Sequence, residues 1–393
     1  MMNVNRIKNG LALAVVAVTV FAFNPRTEAK ALKVYILAGQ SNMQGHAKTT
    51  TFDYIGMDPK TAPILKEMRN SDGSPLVCEK VWISSVEGPK QGKLTAGYGA
   101  SARGPKIGPE FTFGIYMQKI VNEPILIIKT AWGGKSLHTD FRPPSGGAYE
   151  FNESELEAYK KKGKDINKAK ADKIKATGHY YRLMLDHVKN VLKDPKKVCP
   201  AYDAKDGYEL AGFVWFQGWN DMVNRNTYPN RDKPGGYDLY SKLMADFIRD
   251  VRKDLSVPKM PFVIGVMGVG GVNNSKQNHF RQAMAAPAAL PEFKGNVTAV
   301  MTEKYWDPVL GELAERWNKV KSKSRSLSKD KSLTKAQRNV ALDKFKAQTY
   351  TPEETALREK GASNAAYHYL GSAKILAQIG KAFAEAMIEL EKL

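Results

Sequence analysis

The amino-acid sequence predicts a three-layer α/β fold with a central parallel sheet. Short apolar runs recur along the chain without alternating polar residues, as expected for strands that are covered on both faces. Between them lie segments with apolar residues at three- and four-residue steps, which is typical of amphipathic helices. Of the 393 residues, 42% are hydrophobic and 25% are charged, so the chain can bury a core and is not disordered as a whole.

The individual elements follow from these two periodicities. Strands are predicted at residues 34–38, 125–129, 212–216, 262–266 and 297–301, and residues 81–86 are expected to add another. Helices are predicted at residues 180–192, 240–251, 334–345 and 373–390. The helix at 334–345 belongs to a basic helical insertion around residues 312–350, between the last strand and the C-terminal helix.

Residues 1–31 have the layout of a secretory signal peptide. Arg6 and Lys8 precede an uninterrupted apolar run at 11–23, and Ala29-Lys30-Ala31 resembles a cleavage site. The run is shorter than the roughly 20 residues that span a bilayer. We therefore expect a secreted or periplasmic protein of residues 32–393 with no stable membrane insertion after cleavage. An uncleaved membrane anchor is the alternative.

The chain is basic, with a formal net charge of +20. The excess is concentrated in stretches such as 160–164 and 319–331, and such runs are usually solvated helix faces. They lack the interleaved aromatic residues of a single-strand nucleic-acid site, so nucleic-acid binding is not expected. An acidic glycan is the more plausible anionic partner of an exported protein.

Polar and glycine residues follow three of the predicted strands. These segments are 39–42, 130–136 and 217–221. In open α/β sheets the chemistry lies at the carboxyl ends of the strands, and these residue types suit acyl transfer. Ser41 would sit at a strand-to-helix turn, where free N–H groups can stabilise an oxyanion. Alternatively, Ser41 caps the next helix, Gly134 belongs to a plain turn, and Asn220 is a helix cap.

Residues 34–46 (VYILAGQSNMQGH) resemble the first block of the sialate O-acetylesterase and acetylxylan esterase group, carbohydrate esterase family six of the SGNH hydrolase superfamily. Ser41 matches the nucleophile block in its GQSN form, and Gly134 in WGGKS matches the glycine block. Asn220 in GWND matches the asparagine block. His368, late in the chain and just before the last helix, falls where the superfamily has its histidine.

The resemblance implies a flavodoxin-like SGNH fold over residues 32–393 and ester hydrolysis without a metal or other cofactor. His368 would act as general base and then general acid for Ser41. The backbone N–H groups of Ser41 and Gly134 and the Asn220 side chain would form the oxyanion hole. Four further residues flank this site: Gln40 and Gln217 would orient substrate or brace the loops, and Trp132 and Trp219 would stack on sugars.

The sequence departs from the superfamily at the third catalytic position. An aspartate commonly lies three residues before the histidine, and Ala365 stands there instead. Asp307, which follows the last predicted strand, is the first candidate for the acid, and Glu303 is the second. A Ser–His dyad oriented by a backbone carbonyl is also possible. His46 is placed on the helix that Ser41 opens, in a capping or surface role.

These residues lead to three hypotheses for function. The first is hydrolysis of O-acetyl esters on carbohydrate through a serine nucleophile and an acetyl-enzyme. The second, motivated by Ala365, is a non-catalytic glycan-binding protein on an esterase scaffold. The third is an SGNH hydrolase that acts on a lipid or aryl ester. The four matched residues together favour the enzyme. Cys78 and Cys199 are either a disulfide or two buried thiols.

Overall fold

The structure is a computed structural model that describes residues 31–87 and 90–392. All of the predicted signal peptide except Ala31 lies outside the described residues. Over the described ranges, no helix has the length and apolar character needed to cross a bilayer. The same ranges contain no cluster of three or more His, Cys, Asp or Glu side chains that could hold a metal ion.

A seven-stranded sheet with strand order β4-β3-β6-β1-β7-β8-β9 forms the centre of the fold, and only the β3–β4 pair is antiparallel. A two-stranded antiparallel ladder joins β2 to β5. The strands are β1 (Leu32–Gly39), β2 (Ala47–Lys48), β3 (Val81–Ser85), β4 (Lys90–Lys93), β5 (Lys106–Ile107), β6 (Ile125–Ala131), β7 (Tyr208–Phe216), β8 (Phe262–Val266) and β9 (Val297–Met301).

Helices connect the strands and cover both faces of the sheet. In the described chain they are α1 (Ser41–Gln44), α2 (Phe52–Gly56), α3 (Ala62–Met68), α4 (Glu110–Ile120), α5 (Glu153–Lys161), α6 (Ile166–Ala176), α7 (His179–Lys193), α8 (Trp219–Met222), α9 (Asp238–Asp254), α10 (Asn278–Ala285), α11 (Pro308–Lys329), α12 (Lys335–Thr349), α13 (Pro352–Gly361) and α14 (Ala373–Glu391). Helices α11 to α13 occupy the segment between β9 and the turn that precedes α14.

The predicted three-layer α/β fold is confirmed. Successive residues of β1 point to opposite faces, so that Tyr35 and Leu37 join one core while Val34 and Ile36 join the other. Helices α4 and α14 cover the first core, and α7 and α9 cover the second. Because both faces of the sheet are buried, the strands carry apolar residues without alternation, which is the pattern that predicted them.

Two free cysteines lie on opposite sides of this sheet. Cys78 belongs to the core under α4 and α14, and Cys199 belongs to the core under α7 and α9. Both side chains are fully buried, and burial raises the pKa of the Cys78 thiol to about 12. Of the two alternatives left by the sequence, the structure has the buried thiols.

The chain changes direction across the sheet at β1. It first builds β3 and β6 on one side of β1, and then β7, β8 and β9 on the other side. The crevice outside the carboxyl end of such a central strand is where open α/β sheets bind their ligands. Gly39, the last residue of β1, pairs in register with Ala131 of β6 and Phe216 of β7. The segments after these three strands therefore begin at the same level.

Candidate active site

Ser41 is the first residue of α1, directly beyond the end of β1. Ser41 is 8% exposed to solvent. Helix α1 ends at Gln44, after one turn, because Gly45 takes a φ of 86° that leaves the helical region. We expected His46 on this helix, and that expectation was wrong. Since a one-turn helix has little dipole, stabilisation of charge near Ser41 depends on individual N–H groups and not on the helix as a whole.

A close approach of strand ends sets the backbone beside Ser41. Gly39 has a φ of 155°, and a Cβ at this position would collide with the carbonyl oxygen of Phe216. Only glycine fits there without a shift of the backbone. The Gln40 N–H donates to this same Phe216 carbonyl at 3.3 Å. The nucleophile turn is thus fixed against the end of β7.

The glycine loop after β6 lies next to Ser41. A Cβ on Gly133 would stand 3.9 Å from the Ser41 Cβ. Gly134 is exposed and has a φ of +74°, with open space where a Cβ would lie. This left-handed conformation favours glycine. The loop is therefore a turn, as the simpler interpretation held, and at Gly133 it passes close to the serine.

Gln217 joins the loops around the site and does not face solvent. It is 1% exposed, and its Nε2 donates to Asp221 at 2.7 Å, to the Lys135 carbonyl at 3.0 Å and to Gln40 Oε1 at 3.3 Å. Gln40 is also 1% exposed, and the Asn220 N–H lies 3.5 Å from its Oε1. Of the two roles that the sequence left open for these glutamines, their burial and contacts agree with bracing the loops and not with binding substrate.

Asp221 forms a polar cluster at this edge of the sheet, and sequence reasoning missed it. Its fully buried carboxylate accepts from the backbone N–H groups of Leu137 and His138, and it lies 2.8 Å from His138 Nδ1. Tyr228 also donates to it, at 3.1 Å. Burial alone would raise the pKa of Asp221, but the attraction of His138 and these hydrogen bonds hold it below the ordinary value. The cluster ties the glycine loop to α8.

His368 lies in a tight turn, Ala366–Gly371, that packs against α1. The two residues after it, Tyr369 and Leu370, have φ values of 50° and 62°, which cost about 1 kcal/mol each in residues other than glycine. The Tyr369 hydroxyl holds this conformation through contacts with Thr302 Oγ1 at 2.7 Å and the Gly268 N–H at 2.8 Å. These contacts of Tyr369 hold the turn in its strained conformation and thereby fix the position of His368.

The ring of His368 contacts an amide and a second imidazole. Its Nδ1 lies 3.1 Å from Asn364 Oδ1. The ring of His46 stacks on it, with centroids 3.9 Å apart and planes 2° from parallel. Burial, together with His46, lowers the pKa of His368 to about 3. Burial also lowers the pKa of His46 to about 4. Both rings are therefore neutral at pH 7.

Asp307 does not reach His368. Its carboxylate caps α11 by accepting from the Leu310 N–H at 3.0 Å, and it also binds Tyr54 at 3.0 Å and Lys374 at 3.1 Å. The prediction that Asp307 orients His368 is corrected, because the carboxylate is held by this ion pair and helix cap. Within the described ranges, Asn364 is the hydrogen-bond partner of the His368 ring, and no hydrogen bond joins that ring to Ser41.

A cavity of about 430 Å³ opens beside the glycine loop. Its lining includes Gly134 and Asn220, together with Tyr159, Lys164 and Lys173 from the α5–α6 region. The two predicted sugar-stacking residues differ in placement. Trp132 packs against Tyr180 and Phe141, with ring centroids 5.3 and 6.0 Å apart. Trp219 lies 5.7 Å from the ring of Tyr367, which is 44% exposed.

A family profile described as carbohydrate esterase, sialic acid-specific acetylesterase matches residues 31–305. The chain belongs to this family. The match contains Ser41, Gly134 and Asn220 and ends before α11, so that His368 and Asn364 lie beyond it. The family membership agrees with the resemblance carried by the GQSN, WGGKS and GWND segments.

More distant comparisons add two solved structures, whereas no curated protein matches the chain. A protein from Arabidopsis thaliana is 16% identical, with a TM-score of 0.40, over 69% of this chain and 86% of that one. A carbohydrate acetylesterase from Xanthomonas citri is 14% identical, with a TM-score of 0.37, over 68% of this chain and 49% of that one. The esterase family member described here thus spans about half the length of the Xanthomonas protein.

Proposed function

We propose that this carbohydrate esterase family member removes O-acetyl groups from carbohydrate, with Ser41 as nucleophile and His368 as general base. The observation that carries the proposal is the convergence at the end of β1. Gly39 lies in register between Ala131 and Phe216, so the serine, glycine and asparagine segments all emerge at one edge of the sheet. A serine close to backbone N–H groups and a side-chain amide can supply the nucleophile and the oxyanion donors of an acyl-transfer site.

The reaction runs in two halves. Ser41 Oγ attacks the acetyl carbonyl carbon and gives its proton to His368 Nε2, and the carbonyl oxygen becomes an oxyanion. The N–H groups of Ser41 and Gly134 and the Asn220 amide donate to that oxyanion. The C–O bond to the sugar then breaks, and His368 returns the proton to the departing sugar oxygen. Water hydrolyses the acetyl-enzyme by the same route and releases acetate.

The cavity beside the glycine loop favours a sugar over a long acyl chain. The cavity beside Gly134 and Asn220 is lined by a tyrosine, two lysines and other polar residues, and sites for small ligands place a few polar groups to fix orientation. An acetyl group needs little apolar space, whereas a lipid acyl chain needs an apolar channel. Exposed Tyr367 and half-buried Trp219 offer faces to a carbohydrate ring.

Acetate release from 4-nitrophenyl acetate and from a panel of acetylated glycans tests the proposal. Ser41→Ala should reduce hydrolysis about a thousandfold or more, while the fold persists. Ser326→Ala, at an exposed position of α11, is the matched control and should retain wild-type rates. Retained activity in Ser41→Ala would exclude the serine mechanism. A folded wild-type protein that binds acetylated glycans and hydrolyses no ester would favour the glycan-binding alternative.

A further inference from the structure

The turn that carries His368 is fastened to the segment that follows the nucleophile helix. Ser363 Oγ donates to the carbonyl oxygen of Gly371 at 2.7 Å, lies 3.3 Å from the carbonyl oxygen of His46, and accepts the Lys48 N–H at 3.1 Å. One hydroxyl thus joins both ends of the His368 turn to the segment that bears His46. The two imidazoles are held in contact by the backbone as well as by their own stacking.

The orientation of the Asn364 amide follows from a backbone contact. Its Oδ1 lies 2.7 Å from the Ala365 N–H. A backbone N–H can only donate, so the atom facing it must be the amide oxygen. The same oxygen lies 3.1 Å from His368 Nδ1. His368 Nδ1 must therefore carry the proton, and Nε2 keeps the lone pair that a general base requires.

The other end of the same amide faces the second histidine. Asn364 Nδ2 lies 3.5 Å from His46 Nδ1, so His46 accepts there and its proton sits on Nε2. This Nε2 is buried and has no hydrogen-bond partner among the described residues. A single amide therefore sets the tautomers of both stacked rings. The stack and the amide restrain the plane and the rotation of the His368 ring.

We propose that Asn364 and His46 are positioning residues for His368, and that together they replace the carboxylate missing at position 365. This inference rests on the proposed esterase function. The amide fixes the tautomer and the stacked imidazole fixes the ring plane, the two tasks that an aspartate performs in a Ser–His–Asp triad. The amide brings no negative charge, so the imidazolium formed during reaction gains no ion pair.

The charges that act on this pair decide its pH dependence. Besides burial, a positive charge on His46 at low pH disfavours protonation of His368. Lys106 and Lys129 act on His46 in the same direction, and Glu87 opposes them. Two stacked rings cannot both carry a positive charge at low cost, so the pair takes up protons as one coupled unit. A carboxylate introduced at Asn364 should reverse this balance.

Variants of Asn364 test the amide. Asn364→Asp keeps the shape and adds a charge, so the acid limb of the kcat/KM profile for 4-nitrophenyl acetate should move up by about one pH unit or more. Asn364→Ala should lower kcat about 10- to 100-fold, with KM within about twofold. Asn339→Asp and Asn339→Ala, at an exposed site on α12, are the matched controls. Wild-type kcat and an unmoved acid limb in both Asn364 variants would overturn the proposal.

Variants of His46 test the stack. His46→Ala should lower kcat about tenfold, whereas His46→Phe keeps a flat ring against His368 and should restore most of the loss. A general structural role would not separate these two substitutions in this way. Equal kcat values in wild type, His46→Ala and His46→Phe would remove His46 from the proposal.

The tautomer of His368 can be measured without turnover. In protein with ¹⁵N-labelled histidine, assigned with His368→Gln, the proposal expects a protonated Nδ1 and an unprotonated Nε2. The opposite tautomer would overturn it even in an active enzyme. If wild type hydrolyses no ester but shows the expected tautomer, the proposed esterase function fails and the positioning geometry stands, so the two failures are distinguishable.

Discussion

Two histidines near the candidate active site have opposite surroundings. His138 is 2% exposed, and its Nδ1 lies 2.8 Å from the buried carboxylate of Asp221. His368 is half-buried, and its Nδ1 faces the Asn364 amide while its ring stacks on His46. The histidine with the carboxylate braces two loops, and the histidine on the turn against α1 has none. Under the proposed mechanism, a His–Asp pair alone therefore does not mark the catalytic base, because the proposed base faces an amide instead of a carboxylate.

Among substitutions that test this difference between the two histidines, His368→Ala is expected to have the largest effect on the reaction rate. Loss of the general base should lower kcat/KM for 4-nitrophenyl acetate about a thousandfold or more, equivalent to about 4 kcal/mol of transition-state stabilisation. Because the ring is half-buried, the free energy of unfolding should change by only about 1 kcal/mol. Kinetics and urea unfolding measure the two effects, and His279→Ala on α10 is the control. A rate within tenfold of wild type would show that the base is elsewhere.

Asp221→Asn should affect stability most. The carboxylate accepts hydrogen bonds from Leu137, His138, Gln217 and Tyr228. The asparagine amide would place an NH₂ donor against these donors, so some of the hydrogen bonds would be lost. We expect a loss of about 3 kcal/mol in the free energy of unfolding at pH 7, measured in urea. Because the folded pKa lies below the ordinary 3.8, this stabilisation is present above that pH and is lost as the pH falls through the folded value. A loss under about 1 kcal/mol would mean that the cluster is not a brace.

The pH profile of the wild-type enzyme gives a smaller but diagnostic effect. A general base works in its neutral form, and a pKa lowered from 6.5 to about 3 extends that form to lower pH. The kcat/KM for 4-nitrophenyl acetate should therefore stay flat from pH 8 down to about pH 5. An acid limb with its midpoint at or above 6.5 would indicate that a carboxylate acts on His368 after all.

Asp307→Asn is expected to have the smallest effect on rate. Its carboxylate binds Lys374, Tyr54 and the Leu310 N–H and does not bind His368. We expect kcat/KM within about threefold of wild type and a loss of about 1 kcal/mol in the free energy of unfolding, as for a weakened helix cap. A hundredfold loss of rate in a stable variant would restore Asp307 as the orienting acid.

Much of the fold could be predicted because burial on both faces leaves a strong pattern in the sequence. The six predicted strands correspond to β1, β3, β6, β7, β8 and β9. The polar strand β4, whose residues are Lys-Gln-Gly-Lys, was missed because it lies at the sheet edge and pairs with β3 only. The two-residue strands β2 and β5 are too short to produce any periodicity.

The candidate site was predicted in part, for a physical reason. Ser41, Gly134 and Asn220 each follow a strand. Because these strands are parallel, their carboxyl ends lie at the same edge of the sheet, and the three residues are predicted to share it. The contact between Asn364 and His368 depends on a turn in which Tyr369 and Leu370 adopt positive φ values, and no propensity rule predicts that for these residue types. The Asp221 cluster had a weak signal, a carboxylate directly after Asn220, but its partners Leu137 and His138 come from another loop.

Because the two cysteines are buried separately, the reactivity of their thiols can be used to measure local unfolding of the protein. Cys78 and Cys199 lie in different cores with the sheet between them, and a thiol reagent can reach either one only when its own layer opens. Buried thiols with raised pKa values are also weak nucleophiles until they are exposed. The rate at which a thiol reagent labels each cysteine therefore measures the local opening of the helical layer that covers it, independently of the other layer. Oxidation to a Cys78–Cys199 bond requires that the sheet first come apart.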